Sequence, residues 1–239
     1  MKQILVLQHM ACQNVGIFRQ FGNDRNVAFT EIDLHRGDAI PDISGFDGLW
    51  SMGGSMNVWD GDSHSWLLDE MELIRRIVSN QTLPFLGICL GHQLLAEAMG
   101  GEVSKTDAPE IGLVEIRPTT AGINHPLLQE LPEPALWVNV HLAEVTKPPP
   151  GAIVLAESQA CANHLMQLGE TAFSCQFHPE VDKQTVADWM TIPGIPEAMQ
   201  DLIGEAGVDE FHRSIEDYRH SHNLAARQLF DNWLDIVYA

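Results

Sequence analysis

The sequence predicts an α/β fold, in which a mostly parallel central sheet is flanked by helices and followed by a C-terminal helical extension. Two patterns indicate this fold. Short apolar runs alternate with helical sequence through the first hundred residues, and one long amphipathic stretch fills the last thirty. The chain has 239 residues, of which 45% are apolar and 19% are charged. A chain of this length and composition can bury a core without needing a disulfide or a metal.

The parallel part of the sheet is predicted from four apolar runs, at residues 4–7, 27–34, 48–52 and 83–88. Continuous apolar runs are typical of strands that are buried on both faces. Between the third and fourth runs, Leu67, Met71, Ile74 and Val78 recur at steps of 4, 3 and 4, which predicts a helix over about residues 65–79. A strand, a helix and another strand in this order favour a right-handed parallel crossover.

The middle of the chain changes character, because prolines separate further strand-like runs. These runs lie at residues 112–116, 136–140, 153–156 and 172–177. The last third is helical, and its apolar and aromatic side chains from Phe211 to Ile236 recur at steps of 3 and 4. We expect this helix to lie on the sheet, and a dimer seam is the alternative. We divide the chain into one domain, residues 1–190, and a helical extension, residues 191–239, packed on that domain.

Charge and cysteine content exclude several classes of partner. Thirteen Lys and Arg against 33 Asp and Glu give a net charge of −20, which repels phosphate backbones and anionic lipids. We therefore expect no nucleic acid and no membrane among the partners. No apolar run is long enough for a membrane span, and the apolar run near the first residue is too short for a signal peptide. Four widely spaced cysteines suit a reducing compartment, so we expect a cytoplasmic protein.

The most informative segment is Gly87-x-Cys89-x-Gly91, which follows an apolar strand and opens a helix. This is the cysteine form of the nucleophile elbow, in which the nucleophile occupies a strained turn and the flanking glycines remove clashing Cβ atoms. We expect Cys89 to point into solvent, with its thiolate favoured by the helix N-terminus. The backbone N–H of Leu90 would face an oxyanion. The alternative is an ordinary buried cysteine between two packing glycines.

A cysteine nucleophile needs a base, and the base needs an orienting group. His178-Pro179-Glu180 follows the last predicted strand, so His178 lies at the same sheet edge as the elbow. An extended backbone at Pro179 projects His178 and Glu180 to one side, where the carboxylate holds one ring nitrogen. A surface turn is the alternative reading. His92 and His141 are the rival bases, of which His141 is the better placed.

Gly53-Gly54-Ser55, after the third strand, supplies the other half of an oxyanion site, since diglycine lets N–H groups turn inward. A plain strand-to-helix turn is the alternative. The segment is not a P-loop, because no Gly-Lys-Ser/Thr follows. No HExxH or Cys/His zinc spacing occurs, and we predict neither a metal nor a cofactor.

With these motifs in place, the sequence resembles the class I (triad) glutamine amidotransferases. The two main motifs are GICLGHQ at residues 87–93 and FHPE at residues 177–180. Two further segments are similar to the subgroup of the GMP synthase amidotransferase domain, EIG at residues 110–112 and LAES at residues 155–158. The resemblance covers about residues 3–182 and implies a flavodoxin-like or Rossmann-like sheet in a stand-alone member of the family.

The resemblance also implies roles for residues of this chain. Cys89 would attack the γ-carboxamide of glutamine and form a γ-glutamyl thioester. His178 would protonate ammonia and then activate water, while Glu180 orients the ring. The N–H groups of the Gly53-Gly54 segment and of Leu90 would hold the oxyanion. Gln93 and the backbone at His141 and Leu142 would hold the amino-acid end of the substrate.

Two uses of such a site remain open at this stage. The protein could pass ammonia to a separate synthetase partner, or it could hydrolyse glutamine or a γ-glutamyl peptide alone. A rival from another class is a non-catalytic binding protein on the same fold. The substrate in either enzymatic case is a small molecule.

Overall fold

The computed structural model describes residues 1–192 and 195–239. The described residues form one nine-stranded sheet, in the order β2-β1-β3-β4-β9-β8-β7-β5-β6. The strands are β1 Lys2–Gln8, β2 Val27–Asp33, β3 Gly48–Ser51, β4 Phe85–Ile88, β5 Glu102–Pro118, β6 Ala135–Lys147, β7 Ile153–Glu157, β8 Leu165–Leu168 and β9 Ala172–Cys175. The helices are α1 Phe18–Arg25, α2 Trp66–Asn80, α3 Leu90–Ala98, α4 Lys183–Trp189 and α5 Ile195–Val237.

The sheet has a parallel half and an antiparallel half that meet at β9. Strands β2, β1, β3, β4 and β9 run parallel to their neighbours. The remaining pairs, from β9 through β8, β7 and β5 to β6, are antiparallel. This arrangement confirms the predicted α/β class with a central sheet and flanking helices. It brings the carboxyl ends of β3, β4 and β9 to one edge, and the segments that follow them build the site described below.

The parallel strands and α2 lie where the sequence predicts them, whereas three short elements were missed. Strand β8 has four residues, α4 has seven and α1 has eight. Elements this short hold too few residues to display a periodicity. Strands β3, β4 and β9 are equally short, but they lie within longer apolar runs that predicted them. The antiparallel strands β5 and β6 are also longer than the runs that predicted them, since their polar outer residues break the apolar pattern.

The C-terminal helix packs within the chain. The rings of Trp233 and Trp50 lie with centroids 5.4 Å apart and nearly perpendicular, and Phe230 stacks on Phe18 of α1 at 5.4 Å. Such aromatic pairs add to the stabilisation from buried area. The helix is kinked at Gly204, whose φ of 71° is non-helical. The apolar face of α5 beyond the kink therefore covers the same face of the sheet as α1.

Among the described residues, no helix combines the length and the apolar character that a bilayer span requires.

Candidate active site

Cys89 occupies a strained turn between β4 and α3. Its φ of 52° lies in the left-handed region, which non-glycine residues rarely adopt. A Cβ atom on Gly87 would lie 2.5 Å from the carbonyl oxygen of Gly91, and one on Gly91 would overlap the Ser51 carbonyl. The backbone therefore approaches itself too closely for any side chain at either glycine, which is the physical reason for the Gly-x-Cys-x-Gly spacing.

The expectation that Cys89 points into solvent is wrong, because only 5% of the residue is exposed. Its thiol lies instead in a cavity of about 490 Å³. Side chains from the end of α4 and the start of α5, including Trp189 and Met199, line this cavity. The expectation considered the elbow alone and overlooked the C-terminal segments that cover it.

His178 and Glu180 form a buried pair beside Cys89. Nδ1 of His178 lies 2.7 Å from Oε1 of Glu180, and the His178 ring lies close enough to the Cys89 sulfur for the two groups to interact electrostatically. The backbone N–H of His178 donates to the carbonyl oxygen of Val138 on β6, at 2.8 Å. The three side chains thus form a continuous chain from carboxylate to imidazole to sulfur, which is the arrangement that activates a nucleophile.

Burial and charge act on His178 in opposite directions. Burial, the largest effect, disfavours the charged ring, but the negative charges of Glu180 and Cys89, together with the hydrogen bond to Glu180, raise its pKa to about 10. At neutral pH the ring is therefore an imidazolium that can donate a proton toward the cavity.

Gly53 and Gly54 lie opposite the elbow. A Cβ on Gly53 would lie 3.0 Å from Cε1 of His178, and one on Gly54 would lie 2.8 Å from Cδ2 of Leu90. Within the described part of the chain, the N–H groups of Gly54 and Leu90 have no hydrogen-bond acceptor. Two N–H groups without a protein acceptor beside a nucleophile can together stabilise an oxyanion.

Gln93, His141 and Leu142 line the same cavity as Cys89. The Gln93 amide nitrogen donates to the carbonyl of Ala143 at 2.9 Å, and His141 is buried. Leu142 is 48% exposed at the rim. The structure thus brings all three to the cavity that contains the nucleophile, although the Gln93 amide nitrogen is already engaged with β6.

The rival bases are less well placed than His178. His92 is fully buried with Nδ1 against Ser174 Oγ at 2.9 Å, and burial is the main cause that lowers its pKa to about 3. His141 uses Nε2 to contact Glu110 at 3.0 Å and Nδ1 to contact Ala143 O at 3.2 Å. Both ring nitrogens of His141 are therefore engaged by partners other than Cys89, whereas His92 uses only Nδ1 and its Nε2 is buried without a partner among the described residues.

Sequence reasoning missed Gln176, whose amide nitrogen lies 3.6 Å from the Cys89 sulfur. A signal was available, because side chains alternate along an extended chain and Gln176 shares the side of His178 and Glu180. It also missed His9, whose ring hydrogen-bonds the carbonyl oxygen of Gly53, and Trp189, whose ring centroid lies 5.1 Å from that of His178. No local motif marks these two residues.

Glu110, His141 and His164 form a second buried cluster, in which the side-chain ligand atoms lie within 4.8 Å of one another. His141 and His164 both point Nε2 at Oε2 of Glu110, at 3.0 and 2.7 Å, and Ser158 donates to Oε1 at 2.6 Å. Although burial opposes it, these hydrogen bonds lower the pKa of Glu110. The donor set suits a divalent cation. The distances equally suit direct hydrogen bonds, which satisfy the carboxylate without one.

Comparison with known proteins connects this geometry with one family. The sequence profile described as "Glutamine amidotransferase class-I" matches residues 25–190. The chain is 28% identical to the glutamine amidotransferase-like protein YfeJ of Salmonella typhimurium, over 88% of this chain and 87% of that protein. It is 36% identical to a glutamine-hydrolyzing GMP synthase subunit of Sulfolobus acidocaldarius, over 60% of this chain and 72% of that relative. The GMP synthase of Aeropyrum pernix is 34% identical, but the match spans only 34% of its length.

Solved structures show the same fold. A glutamine amidotransferase from Methylobacillus flagellatus superposes with a TM-score of 0.85 at 28% identity, covering 98% of this chain and 95% of the other. A glutamine amidotransferase from Thermotoga maritima gives the same TM-score at 22% identity, covering 100% of this chain and 99% of the other.

Proposed function

Because the chain belongs to the class I glutamine amidotransferase family, we propose that it hydrolyses a γ-glutamyl amide through Cys89, His178 and Glu180. One observation carries the proposal: the Glu180 carboxylate hydrogen-bonds the His178 ring, and that ring interacts with the Cys89 sulfur at a strained elbow. A structural cysteine gains nothing from such a partner, whereas a nucleophile requires one.

The first half of the proposed reaction makes a thioester. The Cys89 sulfur attacks the γ-carbonyl carbon and forms a C–S bond, and the carbonyl electrons move to oxygen. The N–H groups of Gly54 and Leu90 stabilise that oxyanion. As the C–N bond breaks, protonated His178 gives its proton to the departing nitrogen, so that ammonia or an amine leaves. Glu180 keeps the ring oriented throughout.

The second half regenerates the thiolate. Neutral His178 removes a proton from water, the resulting hydroxide attacks the thioester carbonyl, and the same two N–H groups stabilise the second oxyanion. The C–S bond then breaks and glutamate leaves. The net reaction consumes one amide and one water, and it requires no electron acceptor and no cofactor.

The leaving group distinguishes two versions of this function. Ammonia from glutamine would serve a synthetase, as the name of the Sulfolobus acidocaldarius relative, part of a GMP synthase, indicates for that protein. The cavity favours a second version, because its walls beyond Cys89 are largely apolar and include Met10, Trp189, Ile192 and Met199. Ammonia does not fill such a space, whereas the amine part of a larger γ-glutamyl amide would.

A substrate panel tests both versions. The purified chain is incubated with glutamine, γ-glutamyl dipeptides and γ-glutamyl p-nitroanilide, and released glutamate is measured. We expect hydrolysis of at least one compound, and the ratio of kcat/KM values between glutamine and the larger amides decides the version. The Cys89→Ala variant is the matched control. Release that is equal in the native protein and the variant would refute the triad.

A thiol-reactive γ-glutamyl probe separates an enzyme from a binding protein on the same fold, since only a working elbow is labelled covalently.

A further inference from the structure

His9 is fully buried immediately after β1, with a hydrogen-bond acceptor at each ring nitrogen. Nδ1 lies 3.1 Å from the carbonyl oxygen of Gly53, and Nε2 lies 2.8 Å from Oε2 of Glu70. A carbonyl oxygen only accepts, so the contact with Gly53 requires a proton on Nδ1 of His9.

The surroundings of His9 hold the ring in one orientation. The second oxygen of Glu70 accepts a hydrogen bond from Ser51 Oγ at 2.6 Å, and Glu70 and Ser51 are fully buried. The Trp66 ring stacks on His9, with centroids 5.2 Å apart and planes within 6°. Burial disfavours the charged ring, but the Glu70 carboxylate and the hydrogen bonds outweigh it and raise the pKa of His9. The raised pKa and the two hydrogen-bond contacts therefore both favour a protonated His9 ring.

The contact between His9 and Gly53 fixes a peptide unit of the candidate oxyanion site. In a trans peptide, the C=O and the N–H of one unit point in opposite directions. Holding the Gly53 oxygen therefore determines where the Gly54 N–H points. Two successive glycines rotate more freely than any other pair of residues, so this segment has no preferred orientation of its own. His9 supplies the constraint.

We propose that His9 is a positioning residue, which holds the Gly53–Gly54 peptide so that the Gly54 N–H faces the developing oxyanion. The inference rests on the proposed γ-glutamyl hydrolysis. Among the described residues, His9 has no hydrogen bond and no ring contact with Cys89 or His178, so it would act only through the peptide.

A matched pair of variants separates the two contacts of the ring. In His9→Asn, the amide nitrogen lies near the position of Nδ1 and can still donate to Gly53. In His9→Gln, it lies near the position of Nε2 and can donate only to Glu70. Each variant loses the ring and keeps one contact, so a purely structural role of the Glu70 pair predicts that His9→Gln is the milder change.

Positioning of the peptide predicts the opposite order. With γ-glutamyl p-nitroanilide, we expect His9→Gln to lower kcat by about tenfold to a hundredfold, below the roughly 10²- to 10³-fold loss of a complete oxyanion donor. His9→Asn should keep most of kcat. KM should stay near the native value in both, because the oxyanion contact strengthens only in the transition state.

Alkylation of Cys89 by iodoacetamide is the internal control. This reaction needs the thiolate but forms no oxyanion, so both variants should react at the native rate. Two outcomes would overturn the role of His9 while leaving the proposed function intact. One is an equal loss of kcat in the two variants. The other is a His9→Gln variant whose kcat, rate of alkylation and melting temperature all equal those of the native protein.

Nuclear magnetic resonance of the ¹⁵N-labelled native protein tests the contact without turnover. We expect both nitrogens of His9 to be protonated at neutral pH, and an Nδ1 without a proton would overturn the inference, because it could not donate to the Gly53 carbonyl. A native protein that hydrolyses no compound of the panel would instead refute the proposed function, and the positioning role of His9 with it.

Discussion

His178 and Glu180 face the same side of the chain, with Nδ1 and Oε1 2.7 Å apart, although Pro179 stands between them. Extended backbone produces this relationship, because side chains two residues apart project to one side. His178 also pairs with Val138 of β6 in an isolated antiparallel bridge, which extends the sheet by one residue at the site. The ring is thus oriented by the sheet and by its carboxylate before any substrate binds.

Cys89→Ala should lower γ-glutamyl hydrolysis at least about 10⁴-fold, since the step that forms the thioester is lost. The free energy of unfolding should change by no more than about 1 kcal/mol, because a single sulfur atom is removed. Rates on the substrate panel and urea unfolding measure the two effects. A variant that retains activity would show that another group is the nucleophile.

Iodoacetamide should label Cys89 before the other three cysteines. Burial raises the pKa of Cys12 to about 11 and raises the pKa values of Cys161 and Cys175 as well. The thiolate is the reactive form, and Cys89 alone has the His178 cation beside it and an opening to the cavity. Mass spectrometry of the partly labelled protein gives the order of reaction. Earlier labelling at any other cysteine would contradict the assignment.

His178→Asn should lower kcat by about a hundredfold or more, which is the low end of a general acid–base contribution. Glu180→Gln should lose less, because the residue orients the ring without transferring the proton. His141→Asn is the comparison, since His141 lines the same cavity but contacts Glu110. A larger loss in His141→Asn than in His178→Asn would move the base to His141.

The His178 pair should stabilise the fold over a defined pH range. The folded-state pKa of about 10 lies above the ordinary 6.5, so the contribution is fully present below pH 6.5 and is lost as pH rises through about 10. The free energy of unfolding of the native protein minus that of His178→Gln, measured in urea, should therefore shrink between these two pH values. A difference that stays constant over this range would mean that the ring is already neutral in the folded protein.

Trp233→Ala should destabilise the fold by about 3–5 kcal/mol, as the loss of a large buried aromatic side chain does. Trp233 is 1% exposed and packs against Trp50 of β3. Leu224→Ala on the same helix is the control, since 58% of Leu224 is exposed and its removal should cost no more than about 0.5 kcal/mol. Equal effects in urea unfolding would mean that the helix does not belong to the core.

The local parts of the site could be predicted from the sequence, whereas the long-range parts could not. The elbow at Cys89 and the pairing of His178 with Glu180 depend on neighbouring residues, and backbone geometry alone predicts them. The cluster of Glu110, His141 and His164 joins residues up to 54 positions apart, and no sequence motif predicts it. The burial of Cys89 depends on residues beyond position 185, whose position on the fold follows from tertiary packing.

The same reasoning explains which secondary-structure elements could be predicted from the sequence and which could not. Strand β1 and helix α2 display clear patterns because each has one uniform environment, the buried sheet interior or one apolar face. Strand β8 alternates only over four residues and contains Gln167, so its pattern could not be separated from a loop. The predicted boundary at residue 190 between domain and extension stays a prediction.

The last prediction concerns activity without a partner. Most of the stripe from Phe211 to Ile236 is buried against this chain's own core, with Tyr218 and Ile236 partly exposed, and residues of α4 and the start of α5 line the cavity beside Cys89. An apolar face that is already covered does not need a synthetase to cover it. We therefore expect the isolated protein to hydrolyse γ-glutamyl amides and to sediment without self-association. The substrate panel and sedimentation velocity, performed on the same preparation, measure both properties. An inactive, aggregating protein that recovers activity when a separate synthetase is added would show instead that the site is completed by a partner.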